Sequence, residues 1–256
     1  MKKFFAFAAV AVMMMSAMTL NAQNKFKGIV KYSITSVGSN PVEIPEQYAT
    51  PQLKVMNDQI VAEDVALLGF SPFTKKHIQK GRTESYFFDF SPVMMYLAQA
   101  DVTLSSYSGD GKILMKEERT QSEIDSLTIP CTEGFYIEYV AGETKKIAGM
   151  TAKLARIHVF DEEGTDHPTS IWYSDEMGPD VNFIQNGIKG VALEYEVRLG
   201  EGSVLRFAAT EIIKGKVKDT DFLNLSGYEL MDSKKFAEFT TEFSEELRFL
   251  QGGDED

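Results

Sequence analysis

Between Val191 and Leu199 the chain alternates strictly. Val191, Leu193, Tyr195, Val197 and Leu199 are apolar, while Glu194, Glu196 and Arg198 between them are charged and only Ala192 is neutral. A period of two defines a strand with one dry face and one wet face. Such strands belong to antiparallel sheets, since parallel strands are buried on both sides. The same alternation recurs in Phe26–Thr35, with Phe26, Val30, Tyr32 and Ile34 on one face. It recurs again in Phe135, Ile137 and Tyr139, and in Ala155, Ile157 and Val159. Roughly ten strand candidates and few helices predict a mainly β (α+β) fold: a curved antiparallel half-barrel sheet with one or two covering helices. A sheet that bends without closing leaves a concave apolar side, which a helix, a lid or a ligand must cover.

Along the chain, Gln52–Val65 reads as two strands turning at Asn57-Asp58. Lys75, Lys76, His77, Lys80 and Arg82 form the one basic cluster. It reads as a solvated loop or strand edge, where lysines discourage pairing with other chains; the sharper alternative is contact with an anionic headgroup or an acidic partner. Glu84–Phe90 is an aromatic strand. Ser91-Pro92 reads as an N-cap with proline at the first helical position, opening a short helix through Val93–Leu97. Asp161–Pro168 is a hairpin loop and Asn186-Gly187 a turn. Trp172, the sole tryptophan, reads as a core anchor. Phe236, Phe239, Phe243, Leu247 and Leu250 recur at steps of three and four, so Lys234–Leu250 is an amphipathic helix laid on the sheet, capped by Asp232 or Ser233.

Lys2 and Lys3 followed by the apolar stretch Phe4–Leu20 and Leu20-Asn21-Ala22 form a signal peptide over residues 1–22, cleaved before Gln23. That places the chain in the periplasm or cell envelope, or outside the cell. One domain is expected over 23–250, followed by an acidic tail, 251–256. After Phe26 no apolar run is long enough to span a membrane as a helix. The formal net charge of −12 argues against nucleic acid and anionic membrane surfaces. The single cysteine, Cys131, allows no internal disulfide, so the core alone must hold the fold.

Catalytic signatures are missing from the sequence. The three histidines, His77, His158 and His167, do not sit at metal-ligand spacing with one another or with cysteine, and there is neither a Gly-x-Ser-x-Gly elbow nor a phosphate loop. Asp161, Glu162, Glu163 and Asp166 read as a solvated hairpin tip rather than a calcium loop. The chain is therefore read as a non-enzyme with no cofactor and no metal.

Three stretches carry a resemblance. Lys145-Lys146-Ile147-Ala148-Gly149, Ile171-Trp172-Tyr173-Ser174-Asp175-Glu176 and Gly187-Ile188-Lys189-Gly190-Val191 are similar to recurrent motifs of exported Bacteroidota proteins of the GLPGLI family, as are Asp219, Phe222 and Gly227-Tyr228 near the end. The resemblance implies a half-barrel like that of periplasmic lipoprotein carriers (LolA/LolB-like), with an apolar cavity that accepts acyl chains. Together with the aromatic and methionine content of Tyr86–Leu97, it implies a binding module for a lipid or other hydrophobic small molecule. The cavity lining would then include Trp172, Tyr195, Leu193, Phe88, Met94 and Met95. The alternative is a structural or interaction protein of the envelope, with a filled core and a protein partner.

Overall fold

The computed structural model describes residues 26–63, 73–130, 134–199, 202–223 and 226–250. The expected signal segment, Cys131 and the acidic tail lie outside the described residues. Twelve strands form one sheet: β1 Lys27–Gly38, β2 Gln52–Met56, β3 Gln59–Glu63, β4 Thr74–Lys80, β5 Thr83–Asp89, β6 Lys112–Glu118, β7 Phe135–Ile147, β8 Met150–Val159, β9 Thr169–Ser174, β10 Val191–Arg198, β11 Ser203–Lys214 and β12 Glu229–Met231. Their spatial order is β12-β6-β5-β4-β3-β2-β1-β11-β10-β9-β8-β7. Every neighbouring pair is antiparallel except β12 on β6, which is parallel. Among the described residues three α-helices accompany the sheet: α1 Ser91–Gln99, α2 Gln121–Ser126 and α3 Ser233–Leu250. The curled antiparallel sheet with a C-terminal helix is the architecture the alternation demands.

Alternation sorts the charges as expected. Glu194 pairs with Lys145, Glu196 with Arg206 and Arg156 with Glu138, all on the wet face. On the dry face Tyr195 stacks on Phe207 at 4.7 Å and meets the edge of Tyr32 at 6.3 Å. The pattern breaks at Leu193, where the register of β10 on β9 shifts between Ala192 and Glu194. Val191, Ala192 and Leu193 are all fully buried there. A bulge places an unpaired extra residue in the strand and bends it, so a strict period of two cannot run through it.

The Asn57-Asp58 hairpin forms, with Asn57 at φ 60° as a tight two-residue turn requires. Asp232 caps α3 through the N–H of Lys235 at 2.8 Å. In α1 the cap differs from the sequence reading: Phe90 is the N-cap residue, and Asp89 supplies the carboxylate that accepts from the N–H of Ser91 at 3.0 Å. The basic cluster also differs. β4 is an interior strand between β3 and β5, and His77 and Lys76 are buried rather than solvated. Their side chains divide between the two faces, so a run of like charges in sequence is not a run in space.

Between β11 and β12, residues 215–223 and 226–228 form a strap, from which Phe222 and Tyr228 pack on Val61, Ile78, Phe87 and Leu114 of the outer face. Asp221 bonds Lys54 at 3.0 Å, and Lys54 also holds Glu63 at 3.1 Å.

Candidate functional site

The concave face decides between a carrier and a filled scaffold, and this chain's own residues occupy it. Over β1 and β8–β11 lies a plug, residues 175–190. Met177, Ile184 and Ile188 of the plug are buried against Tyr32, Leu193, Tyr195 and Phe207. Its turn Phe183–Gln185 is capped by Asn182, whose Oδ1 accepts from the N–H of Gln185 at 3.1 Å. Asn182 Nδ2 donates to Gln185 Oε1 at 2.8 Å and to the carbonyl of Gly190 at 3.0 Å. Gln185 in turn accepts from the N–H of Ala192 at 2.9 Å and donates to the Ala192 carbonyl at 3.2 Å. The Tyr32 hydroxyl donates to that same carbonyl at 2.7 Å. Two buried amides thus satisfy the polar groups that the bulge and the turn leave unpaired, as burial requires. Gly190, at φ 70°, is needed because a Cβ there would lie 2.1 Å from the Ser174 carbonyl oxygen. From the far edge, Tyr139 accepts the N–H of Lys189 at 3.0 Å. Burial is the main reason the Tyr139 phenol is pushed up to about 12.

The other half of the concave face is covered by α1 and α3. Phe88, Phe90, Leu97, Ile113, Phe239 and Phe243 form a second apolar cluster there. Phe88 stacks on Phe236 at 4.5 Å, and Phe90 meets Phe239 and Phe243 edge-on near 5 Å. Glu242 ties α3 down by accepting the N–H of Ser106 at 2.8 Å. Hydrogen bonds from Ser106 and Ser105 hold its carboxyl down at about 2.

A polar seam separates the two clusters. Glu84, 1% exposed, accepts from Arg119 Nε at 2.7 Å and from the Tyr86 hydroxyl at 2.7 Å, and it faces His77 Nε2 at 2.9 Å. Tyr86 stacks on His77 at 4.1 Å. Burial alone would raise the Glu84 pKa, but the bonds from His77, Tyr86 and Arg119 outweigh it and keep the carboxyl below its usual range. Burial pushes the His77 pKa down despite Glu84, so this imidazole is neutral near pH 7 and donates to a carboxylate. Gln79 joins seam to plug: its Oε1 accepts from the N–H of Phe183 at 2.8 Å and its Nε2 donates to the Val181 carbonyl. Arg119 also lies over the Phe183 ring, 5.6 Å from its centre.

The six residues read as a cavity lining do not meet. Tyr195 and Leu193 are buried in the plug cluster, and Phe88 with the half-buried Met94 belongs to the helix cluster. Met95 is 63% exposed on α1. Trp172 is half-buried rather than a core anchor: it shares the wet face with Glu194, and Lys145 Nζ sits 4.4 Å from its ring centre. An open cleft of about 550 Å³ at the end of the sheet is lined by Asp58, Glu176, Asp180 and Lys189, with Phe26 and Met150 beneath. The seam escaped the sequence reading because Gln79 and Glu84 are polar residues in strands, and only the register brings them opposite each other.

His158 is held by Asp166 at 2.7 Å and Glu138 at 3.3 Å, and His167 by Asp161 at 2.8 Å. These contacts fall on different ring nitrogens and different histidines, and no group of three or more His, Cys, Asp or Glu able to hold a metal ion occurs among the described residues. No described helix is long and apolar enough to cross a membrane.

What these elements define is an open antiparallel half-barrel closed on its concave side by its own chain. No family model matches the sequence, and no curated protein matches it. Among solved structures the chain is similar to a LolA superfamily protein from Nitrosomonas europaea, at 10% identity over 78% of this chain and 91% of that one, with a TM-score of 0.28. It is similar to a chain of the Pseudomonas aeruginosa MucA/MucB complex, at 12% identity over 80% of this chain and 57% of that one, with a TM-score of 0.31. It is also similar to the Mycobacterium tuberculosis lipoprotein LppX, at 11% identity over 81% and 94%, with a TM-score of 0.23.

Proposed function

We propose that this chain is an exported, non-catalytic protein of the cell envelope that works by binding another protein on its surface. The observation that supports this is the occupied concave face. Plug, seam and helices fill the place where an acyl chain would lie, and the buried amides of Asn182 and Gln185 hold the plug in place. Displacing the plug would strip several buried hydrogen bonds at once, each at about 1–3 kcal/mol when its partner is left unpaired. A second reading keeps the lipid: half-buried Met94 of α1 packs against the cluster that holds Phe88, a soft cover that an acyl chain could part. Native mass spectrometry of protein purified from its own cells separates the two. The surface-binding reading expects apo mass and no uptake of a fluorescent fatty acid; a stoichiometric acyl species would replace it with the carrier reading. N-terminal sequencing of the exported protein checks cleavage before Gln23.

A further inference from the structure

The strap and the outer face of the sheet enclose a groove of about 450 Å³. Its floor and one wall are Met56, Ile78, Phe222 and Leu223, and Leu223 is 58% exposed. Around them stand Lys80, Lys116, Thr83 and Ser85, with Asp219 as the acidic lining residue. The lining carries two lysines against one aspartate, and Glu118 in the adjoining row is paired with Arg82 at 3.7 Å, so two ammonium groups face the groove. Among the described residues neither lysine has an ion-pair partner, unlike Lys54 and Lys76, which are spent on Glu63 and Asp221.

From this juxtaposition we propose that the groove binds an extended acidic peptide segment of the pattern acid-x-apolar-x-acid. This rests on the surface-binding reading and names its site. The register sets the spacing. Lys80 lies opposite Thr83, which lies opposite Glu118, while Ile78, Ser85 and Lys116 form the next row. Lys80 and Lys116 are therefore two strands and one row apart, with Cα atoms about 12 Å from each other at a strand spacing of about 4.8 Å and a rise of about 3.4 Å per residue. An extended peptide spans that distance: its residues i and i+4 point the same way and lie about 13–14 Å apart, with residue i+2 on the same face between them. Two carboxylates then meet the two lysines. The apolar side chain lands over Thr83 and Ser85, beside Ile78 and across from Phe222 and Leu223. Six of the ten residues that line the groove are polar, which offers partners to a peptide backbone.

The test uses the whole mature protein and a fluorescein-labelled peptide, Gly-Glu-Ser-Leu-Ser-Glu-Gly, followed by polarisation at low salt. Saturable binding is expected below about 1 mM, at least tenfold weaker for the Lys80→Glu, Lys116→Glu double variant. The loss should be similar when both peptide glutamates become glutamine or its leucine becomes serine. Circular dichroism confirms that the variant is folded. Lack of saturation, equal affinity in the double variant, or displacement by palmitate but not by unlabelled peptide would each overturn the proposal. Photo-crosslinking in cells separates this failure from that of the surface-binding reading. Protein adducts from a probe at Met95 but none from a probe at Ser85 would sink the groove alone; lipid adducts from both would sink the parent reading as well.

Discussion

Glu84→Gln is the sharpest test of the polar seam. The change keeps the shape and removes the charge that three donors share. Arg119 Nε, the Tyr86 hydroxyl and His77 Nε2 all converge on this one carboxylate. A glutamine offers one acceptor oxygen, so at least one donor faces an amide N–H₂ instead. Removing one partner of a buried ion pair costs about 3–5 kcal/mol. Arg119 is one-third exposed and can rehydrate, so the lower end applies, about 3 kcal/mol. In urea, with m near 2.5 kcal/mol/M for a chain of this size, the midpoint should fall by about 1.2 M at unchanged m. The pH dependence has a definite sign. The His77 pKa is depressed, so its contribution is full above the unfolded value of about 6.5 and shrinks as pH falls below it. The Glu84 pKa is also depressed, so its contribution is lost as pH falls below about 4.3. The His77 contribution should therefore decline from pH 7 to 5 against an opposite contribution from His158, whose pKa Asp166 and Glu138 raise, and His77→Phe should remove the declining part. A midpoint shift under 0.2 M for Glu84→Gln, or a slope untouched by His77→Phe, would refute a dry, ionised seam.

Phe239→Ala should cost about 3–5 kcal/mol by thermal or urea unfolding, because the ring is fully buried among Phe90, Tyr107 and Phe243, whereas Phe249→Ala, at 66% exposure, should stay within about 0.5 kcal/mol. Gln185→Leu removes the acceptor of the Ala192 N–H, at about 1–3 kcal/mol, and hydrogen exchange should speed up over residues 182–192 before the helix half responds. Lys145→Ala should destabilise by only about 0.5–1 kcal/mol yet shift the emission of Trp172, the sole tryptophan, because the ammonium over its ring is gone.

Much of this fold is legible because alternation is a local signal. β1, β5, β8, β10, β11 and α3 each announce themselves within ten to twenty residues, and parity then states which face is dry. What stayed hidden needs two distant segments at once. His77 read as a solvated lysine-rich edge because nothing in residues 75–82 shows that β3 and β5 will flank them. Nothing local in the plug shows how it is anchored, because Gln185 finds its partners outside the plug in β1 and β10. Short α2 does carry a local signature, the capping box of Thr120 and Glu123. Hydrophobicity, the property that the six expected lining residues share, reports burial and not whether the space beside a side chain is occupied.

The seam and the outer groove are built from the same two strands. Along β4, His77 and Gln79 face the concave side while Ile78 and Lys80 face the groove; along β5, Glu84 and Tyr86 point inward while Thr83 and Ser85 point outward. One-residue alternation thus places a dry ionic network and a wet cationic surface back to back, a backbone apart. Their energetics nonetheless separate. Glu84→Gln acts on a buried charge, whose loss falls on folding. Lys80→Glu acts on an exposed one, whose loss falls on association and its salt dependence. A variant of the outer row that lowered the unfolding midpoint as much as Glu84→Gln would mean that the sheet transmits charge changes across its thickness. The assignment of stability to the inner face and binding to the outer one would then have to be abandoned.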